Sequence, residues 1–328
     1  MRRFLRILAQ VAVGLALILS PVLVYNSSAL APAPTARPLL IAHRGLGQTF
    51  SRDGLTGDTC TATRIFPPEH PHLENTIASF EAAFAAGADI VEFDVHPTTD
   101  GAFVVFHDWT LDCRTDGKGV TREHSLAQLK ALDIGYGYTA DGGRTYPFRG
   151  KGVGLMPTLD EVLAAFPERR FLINVKSDDV REGERLAARL AGLSPHRRSL
   201  VMIYGGGKAM DAFHAALPDV TVLGTDAVRP CLLKYLLMGW LGIVPDECRN
   251  SLFMLPLNYA PLAWGYPHRL AERLRQHGTQ LVLLGAYDGS GFSSGIDDPA
   301  EVAAVPARLD AAIWTNRINL IGPAVTAR

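Results

Sequence analysis

Two histidines, two carboxylates, an arginine and a lysine are the residues of this chain whose types and spacing could do chemistry together. Glu92 and Asp94 stand two apart in a stretch where Val91, Phe93 and Val95 are apolar, so a strand would put both carboxylates on one face. Thr99, Asp100 and Gly101 supply a turn, and the nearly all-apolar run 102–106 reads as a strand buried on both faces that delivers His107 and Asp108 at its end. His43, Arg44 and Gly45 follow a short apolar strand, 38–42, where an imidazole, a guanidinium and a turn-permitting glycine would suit an anion. A strand over 171–176 places Asn174 and Lys176 on one face near its C-terminal end. Paired carboxylates suit a hard divalent cation, Mg²⁺ or Ca²⁺, while histidine titrates near neutrality and can move protons. With Arg44 and Lys176 as fixed positive charge, the set suits phosphoryl chemistry. Glu74 precedes a helix expected over 77–86, where it either reaches this group or simply favours the positive end of the helix.

Strand and helix patterns alternate from residue 39 to the end. Helices are expected over 125–132, 159–166, 181–193, 208–217, 267–277 and 299–309, and strands over 200–204, 220–223, 252–257, 280–284 and 311–314. Thr158 with Glu161 is a capping-box pair for the second of these helices. Such alternation predicts an α/β fold, a (β/α)₈ TIM barrel with loop insertions, whose active site lies at the C-terminal ends of the strands. His43, Glu92, Asp94, His107, Asn174 and Lys176 all fall there. The chain of 328 residues, with 32 basic and 33 acidic residues interspersed, shows no basic patch for nucleic acid.

Before the barrel domain, 39–328, stand a hydrophobic segment, 1–31, and a Pro-rich linker, 32–38. Arg2, Arg3 and Arg6 precede an apolar run over 7–25, which reads as an export signal, either a signal peptide with an A-x-A site at 29–31 or a retained membrane anchor. Either way the basic end stays in the cytoplasm and the barrel lies outside it, periplasmic or membrane-anchored. Four cysteines in an exported chain make disulfides the expected state, Cys60 with Cys113 and Cys231 with Cys248.

His43-Arg44-Gly45, Glu74-Asn75-Thr76, Glu92-x-Asp94 and His107-Asp108, in that order and spacing, resemble the glycerophosphodiester phosphodiesterase family. The resemblance covers about 39–178 and resumes at Trp314-Thr315-Asn316-Arg317, similar to the family's closing Thr-Asp-Arg. It implies a barrel and metal-dependent hydrolysis of glycerophosphodiesters to glycerol 3-phosphate and an alcohol, with His43 and His107 as the acid/base pair. It further implies Glu92 and Asp94 on Mg²⁺ or Ca²⁺, and Arg44, Glu74 and Lys176 toward the phosphate. Asn174 stands where the family usually carries a third acidic metal ligand, so an amide oxygen would take that place and the site loses one negative charge. Which histidine is base and which acid stays open.

Two stretches are not absorbed by the resemblance. Residues 231–248 are strongly apolar yet too short and interrupted to span a bilayer, and read as a buried helix or as a lid touching the membrane. The second possibility motivates a phospholipase-type activity on lysophospholipids or sphingomyelin-like lipids, and Asn174 motivates a non-catalytic binder of phospholipid head groups. A Gly- and Ser-rich stretch, 285–295, reads as a loop that in barrels often binds phosphate.

Overall fold

The computed structural model describes residues 2–32, 34–56, 59–289 and 294–328, with the side chains of 2, 5–9, 11, 12, 14–16 and 18 outside the description. Nine strands form in chain order: β1 (Leu39–His43), β2 (Ile90–Pro97), β3 (Phe103–Val105), β4 (Arg170–Val175), β5 (Val201–Gly205), β6 (Thr221–Gly224), β7 (Leu252–Pro256), β8 (Gln280–Leu284) and β9 (Ala312–Thr315). Eight of them run parallel in the order β6-β5-β4-β2-β1-β9-β8-β7, a nearly closed (β/α)₈ barrel. The seam between β6 and β7 is bridged by the Ser251 hydroxyl, which donates to the Val222 carbonyl at 2.7 Å.

The second strand of the motif is not a barrel strand. β3 pairs antiparallel with β2 and lies off the ring, so His107 enters from a hairpin arm and not from a barrel rim position. The connection explains this: a turn of a few residues can only reverse the chain, whereas a parallel neighbour needs a crossover of about a dozen residues or more. The helix expected over 299–309 is cut to Pro299–Val302, with Pro306 unable to donate a helical hydrogen bond. Thr158 and Glu161 do form the capping box, at the start of helix Leu159–Ala165. Both disulfides, Cys60–Cys113 and Cys231–Cys248, are present.

Alternation along the strands sorts the residues cleanly. Ile41, Ile90, Leu172, Met202, Leu252, Val282 and Ala312 fill the inside of the barrel. Two residues further along, on the same inward face, four of these strands turn polar, at His43, Glu92, Asn174 and Tyr204, with Asp94 and Asn316 at the next step or two, while Met254, Leu284 and Trp314 stay apolar. The outward faces of β2 and β4 pack on helix Ile77–Ala85 through a cluster of phenylalanines. Phe93 and Phe171 meet edge-on at 5.3 Å, Phe80 stacks on Phe93 at 5.5 Å, and Phe84 meets Phe171 at 5.9 Å between ring centroids.

A helix covers Arg2–Tyr25, but the expected signal or anchor falls largely on side chains outside the described residues. Among the described residues no helix is long and apolar enough to cross a membrane. The Gly- and Ser-rich stretch read as a loop, 285–295, includes 290–293, which also lie outside the described residues.

Because Phe171 is fully buried at the centre of the aromatic cluster behind the two strands that carry the acids, Phe171→Ala should lower the unfolding free energy by about 3–5 kcal/mol. Urea denaturation checks it, and a loss below about 1 kcal/mol would show that the cluster does not hold these strands.

Candidate active site

Parallel register sets the polar residues side by side. His43 is paired with Glu92, Asp94 with Asn174, and Asn174 with Tyr204 across neighbouring strands. Glu92 and Asp94 are fully buried or nearly so, so each of their oxygens needs a donor. Tyr204 donates its hydroxyl to Glu92 Oε1 at 2.6 Å, and the Arg44 backbone N–H donates to Glu92 Oε2 at 3.1 Å. Asp94 Oδ1 accepts from the Asn174 amide at 2.9 Å, with Lys176 Nζ 3.5 Å away, and Oδ2 accepts from Asn75 at 3.0 Å.

Arg44 is bent into this position by its backbone. It has φ 57°, followed by Gly45 at φ 76°, so the chain turns left-handed for two residues directly after β1. A Cβ at residue 45 would stand 2.7 Å from Phe80 and Ser79, so glycine is required by space as well as by conformation. The turn aims the guanidinium at Glu74 (3.0 Å) and Asp94 (3.4 Å), while its Nε donates to His43 Nε2 at 3.1 Å. Asn75, also left-handed at φ 59°, lies in the loop that brings Glu74 to Arg44.

Glu74, expected at the phosphate, gives its carboxylate to Arg44 and to Arg114, the latter at 3.2 Å. Arg114 is buried and forks onto the Asp108 carboxylate at 2.5–2.6 Å, with further bonds to the hydroxyls of Tyr138 and Thr61. Asp108 in turn accepts from His107 Nδ1 at 2.7 Å, leaving the other imidazole nitrogen for the cavity. On the opposite side His43 Nδ1 donates to the Asn316 amide oxygen at 2.5 Å. Asn316 donates its amide nitrogen to Asp297 at 2.7 Å. An aspartate at 316 would face the Asp297 carboxylate with no proton to offer, so the amide fits this neighbour where the acid would not.

These surroundings set the charges. Burial, aided by the Arg44 guanidinium, pushes His43 down to about 3, so its imidazole is neutral at physiological pH. His107 is also lowered, by burial and by Arg44, against the pull of Asp94 and Asp108. Burial alone would raise Glu74, yet Arg114 and Arg44 outweigh it and hold its carboxyl down at about 2. Asp94 resists burial in the same way through Lys176 and its other cationic neighbours and stays ionised. Glu92 goes the other way: burial and the Asp94 charge push it up to about 8. Two carboxylates sharing a dry site do not both ionise without more positive charge.

That deficit is the fit of a divalent cation to these residues. Glu92 and Asp94 offer carboxylate oxygens, and Asn174, now donating its nitrogen to Asp94, would have to turn its amide to offer oxygen. The donor set is smaller than a three-acid site, and among the described residues no group of three or more His, Cys, Asp and Glu side chains is arranged to hold a metal ion.

A cavity of about 750 Å³ opens over this floor. His43, Arg44, His107, Lys176 and Tyr204 line its base, and Phe50, Phe66 and Trp109 contribute to its walls. All eight residues singled out from the sequence therefore converge: Glu74 and Asn174 also line the cavity, and Glu92 and Asp94 are bonded to these residues. The sequence reading left Tyr204 without a role, although it ends a strand at the inward parity of Asn174. It also left Arg114 and Asp297 unassigned, and these lie on loops where no periodicity marks them.

Residues 43–191 match the model of the glycerophosphoryl diester phosphodiesterase family. A glycerophosphodiester phosphodiesterase of Bacillus subtilis is 41% identical over 123 residues, 36% of this chain and 41% of that protein. One from Bacillus altitudinis is 30% identical over 176 residues, 51% of this chain and 67% of that protein. The chain thus spans about two fifths of the Bacillus subtilis relative and two thirds of the Bacillus altitudinis one. Among solved structures, a glycerophosphodiester phosphodiesterase from Agrobacterium tumefaciens superposes with a TM-score of 0.58 at 20% identity, covering 88% of this chain and 99% of that one. An Oleispira antarctica phosphodiesterase in complex with the product sn-glycerol-3-phosphate superposes with a TM-score of 0.55 at 20% identity, covering 88% and 97%. With a nearly closed barrel carrying the ordered motifs at one end, and these relatives in sequence, the chain belongs to the glycerophosphodiester phosphodiesterase family.

Proposed function

We propose that the chain hydrolyses glycerophosphodiesters to glycerol 3-phosphate and an alcohol. The observation that carries this reading is that His43 and His107, each oriented through Nδ1 by a fixed acceptor, line one cavity over the buried Glu92 and Asp94 pair. Glycerol 3-phosphate as the product in the Oleispira antarctica neighbour supports it.

In the reaction this geometry favours, neutral His43 takes the proton of the glycerol 2-hydroxyl at Nε2, where the hydroxyl replaces Arg44 Nε as the donor. The 2-oxygen attacks phosphorus, the bond to the leaving alcohol breaks, and His107, whose imidazolium is favoured by the Asp108 carboxylate behind it, gives that alkoxide its proton. A cyclic phosphate results. Water then adds to phosphorus as His107 removes its proton, the ring bond to the 2-oxygen breaks, and His43 returns the proton it took. Arg44 and Lys176 place positive charge at the non-bridging oxygens. A Mg²⁺ or Ca²⁺ ion, held by Glu92, Asp94 and a turned Asn174 amide, would neutralise charge on those oxygens.

Half-exposed Phe66 and Trp109 on the cavity wall favour a second reading, in which the leaving group carries an acyl chain, as in lysophospholipids. The two readings share the same machinery and differ only in the substrate.

Release of glycerol 3-phosphate from glycerophosphocholine should require a divalent ion, stop with EDTA, and fall by about two to four orders of magnitude in His43→Ala and in His107→Ala. Release from lysophosphatidylcholine alone would support the second reading, and release from neither substrate would remove the proposal. Tyr204→Phe deletes only the bond to Glu92, and should lower kcat by about tenfold in a protein with unchanged circular dichroism. An unchanged kcat would show that Glu92 needs no such partner.

A further inference from the structure

The insertion left unexplained by the family carries an apolar stripe that faces outward. Helix Val228–Met238 buries Cys231 and Tyr235, four apart, against the barrel, where the Tyr235 hydroxyl donates to the Trp264 carbonyl. Leu233 and Leu237, also four apart, point away, 49% and 73% exposed, and Trp240, Leu241 and Ile243 continue the exposure through the following turn. A helix with apolar residues on both faces is ordinarily covered on both. The Cys231–Cys248 disulfide ties the two ends of this segment together.

The end of the amino-terminal helix is fastened to the same place. Buried Arg273, 6% exposed, donates to the Asn26 side chain at 2.8 Å and to the Gly239 carbonyl at 3.0 Å, and lies over the Tyr25 ring at 4.8 Å. Asn26 donates to the Trp240 carbonyl at 2.9 Å. Two residues on, the Ser28 hydroxyl donates to the Gly265 carbonyl at 2.7 Å and accepts from the His268 backbone N–H at 3.0 Å, and Arg269 donates to the Leu30 carbonyl at 3.0 Å. Cleavage after Ala31 would remove Tyr25, Asn26, Ser28 and Leu30 and leave the Arg273 guanidinium with only the Gly239 carbonyl of these partners. Leu23, Val24, Tyr25 and Leu30 are themselves exposed beside the insertion, so the apolar surfaces of the two segments adjoin.

We propose that residues 1–31 are retained in the exported protein and that the insertion, with Trp240, rests on the surface of the lipid bilayer that receives the apolar run 7–25. The occupant follows from continuity: the segment joined to this patch by hydrogen bonds is the one whose sequence, apolar from 7 to 25 behind three arginines, is suited to a membrane. A bilayer covers Leu233, Leu237 and Trp240 together with the exposed end of the helix, and the Trp240 indole suits the interface.

The full chain, expressed in a bacterium with its own amino terminus and isolated from membranes, should by intact mass retain residues 1–31. A mature chain beginning at Pro32 would overturn the proposal. Reconstituted in phosphatidylethanolamine and phosphatidylglycerol vesicles with brominated acyl chains, the protein should show tryptophan fluorescence quenching that is lost in Trp240→Phe. The other three tryptophans, Trp109, Trp264 and Trp314, supply the background. No quenching, or the same quenching in Trp240→Phe, would overturn the contact, and a chain that is dimeric with Trp240 shielded from brominated lipid would assign the face to a second copy. Neither readout depends on turnover.

Discussion

Two carboxylates at successive inward positions of one strand, both out of water, cannot both carry charge unless positive charge is brought to them. The rest of the site follows from that constraint. Arg44 turns left-handed at the end of β1 to reach Asp94 and His43, Lys176 comes from beyond β4, and Asn75 and Asn174 add neutral donors. Glu74 and Asp108 then become necessary in their own right, because buried Arg44 and Arg114 need acidic partners. Glu74 thus holds the two arginines while lining the cavity itself. The remaining positive deficit shows at Glu92, whose carboxyl is pushed up to about 8 and is satisfied by the Tyr204 hydroxyl.

The two histidines are held by different partners, although burial and Arg44 lower the pKa of both. At His43 burial and the Arg44 guanidinium favour the neutral ring, against the Asn316 amide oxygen, which favours the protonated one. His107 leans on a carboxylate, which favours the protonated ring, although burial opposes it. Asn174 and Asn316 stand where the family usually carries acids, and the surroundings give each a distinct account. At 316 the amide bridges His43 and Asp297, which an acid could not do. At 174 the amide relieves Asp94 in place of adding a third negative charge, which lowers the pull on a cation.

Much of this was legible in the residues. Period-two alternation put Glu92 and Asp94 on one face of their strand and Asn174 on the face of another with Lys176; the register shows that face to be the inward one, with Asn174 beside Asp94. The same rule applied to 200–204 would have marked Tyr204. The hairpin misled, since an apolar run of five residues looks alike in a barrel strand and in an arm packed over the rim; only the length of the connection distinguishes them. Arg114 and Asp297 sit on loops, where position is fixed by tertiary contacts that leave no period in the sequence. The insertion was ambiguous for a physical reason as well: Cys231, Leu233, Tyr235 and Leu237 are all apolar, and only the packed barrel shows which pair is covered.

Isothermal titration of the protein with Mg²⁺ and with Ca²⁺, in the absence of substrate, tests most directly whether the buried acid pair is a cation site. About one ion should bind per chain, binding should be lost in Asp94→Asn, and Asn174→Glu should tighten it by restoring an acidic donor. No binding by the wild type, or binding that Asp94→Asn leaves unchanged, would contradict it, and the charge at Glu92 and Asp94 would then have to be balanced by Arg44 and Lys176 alone.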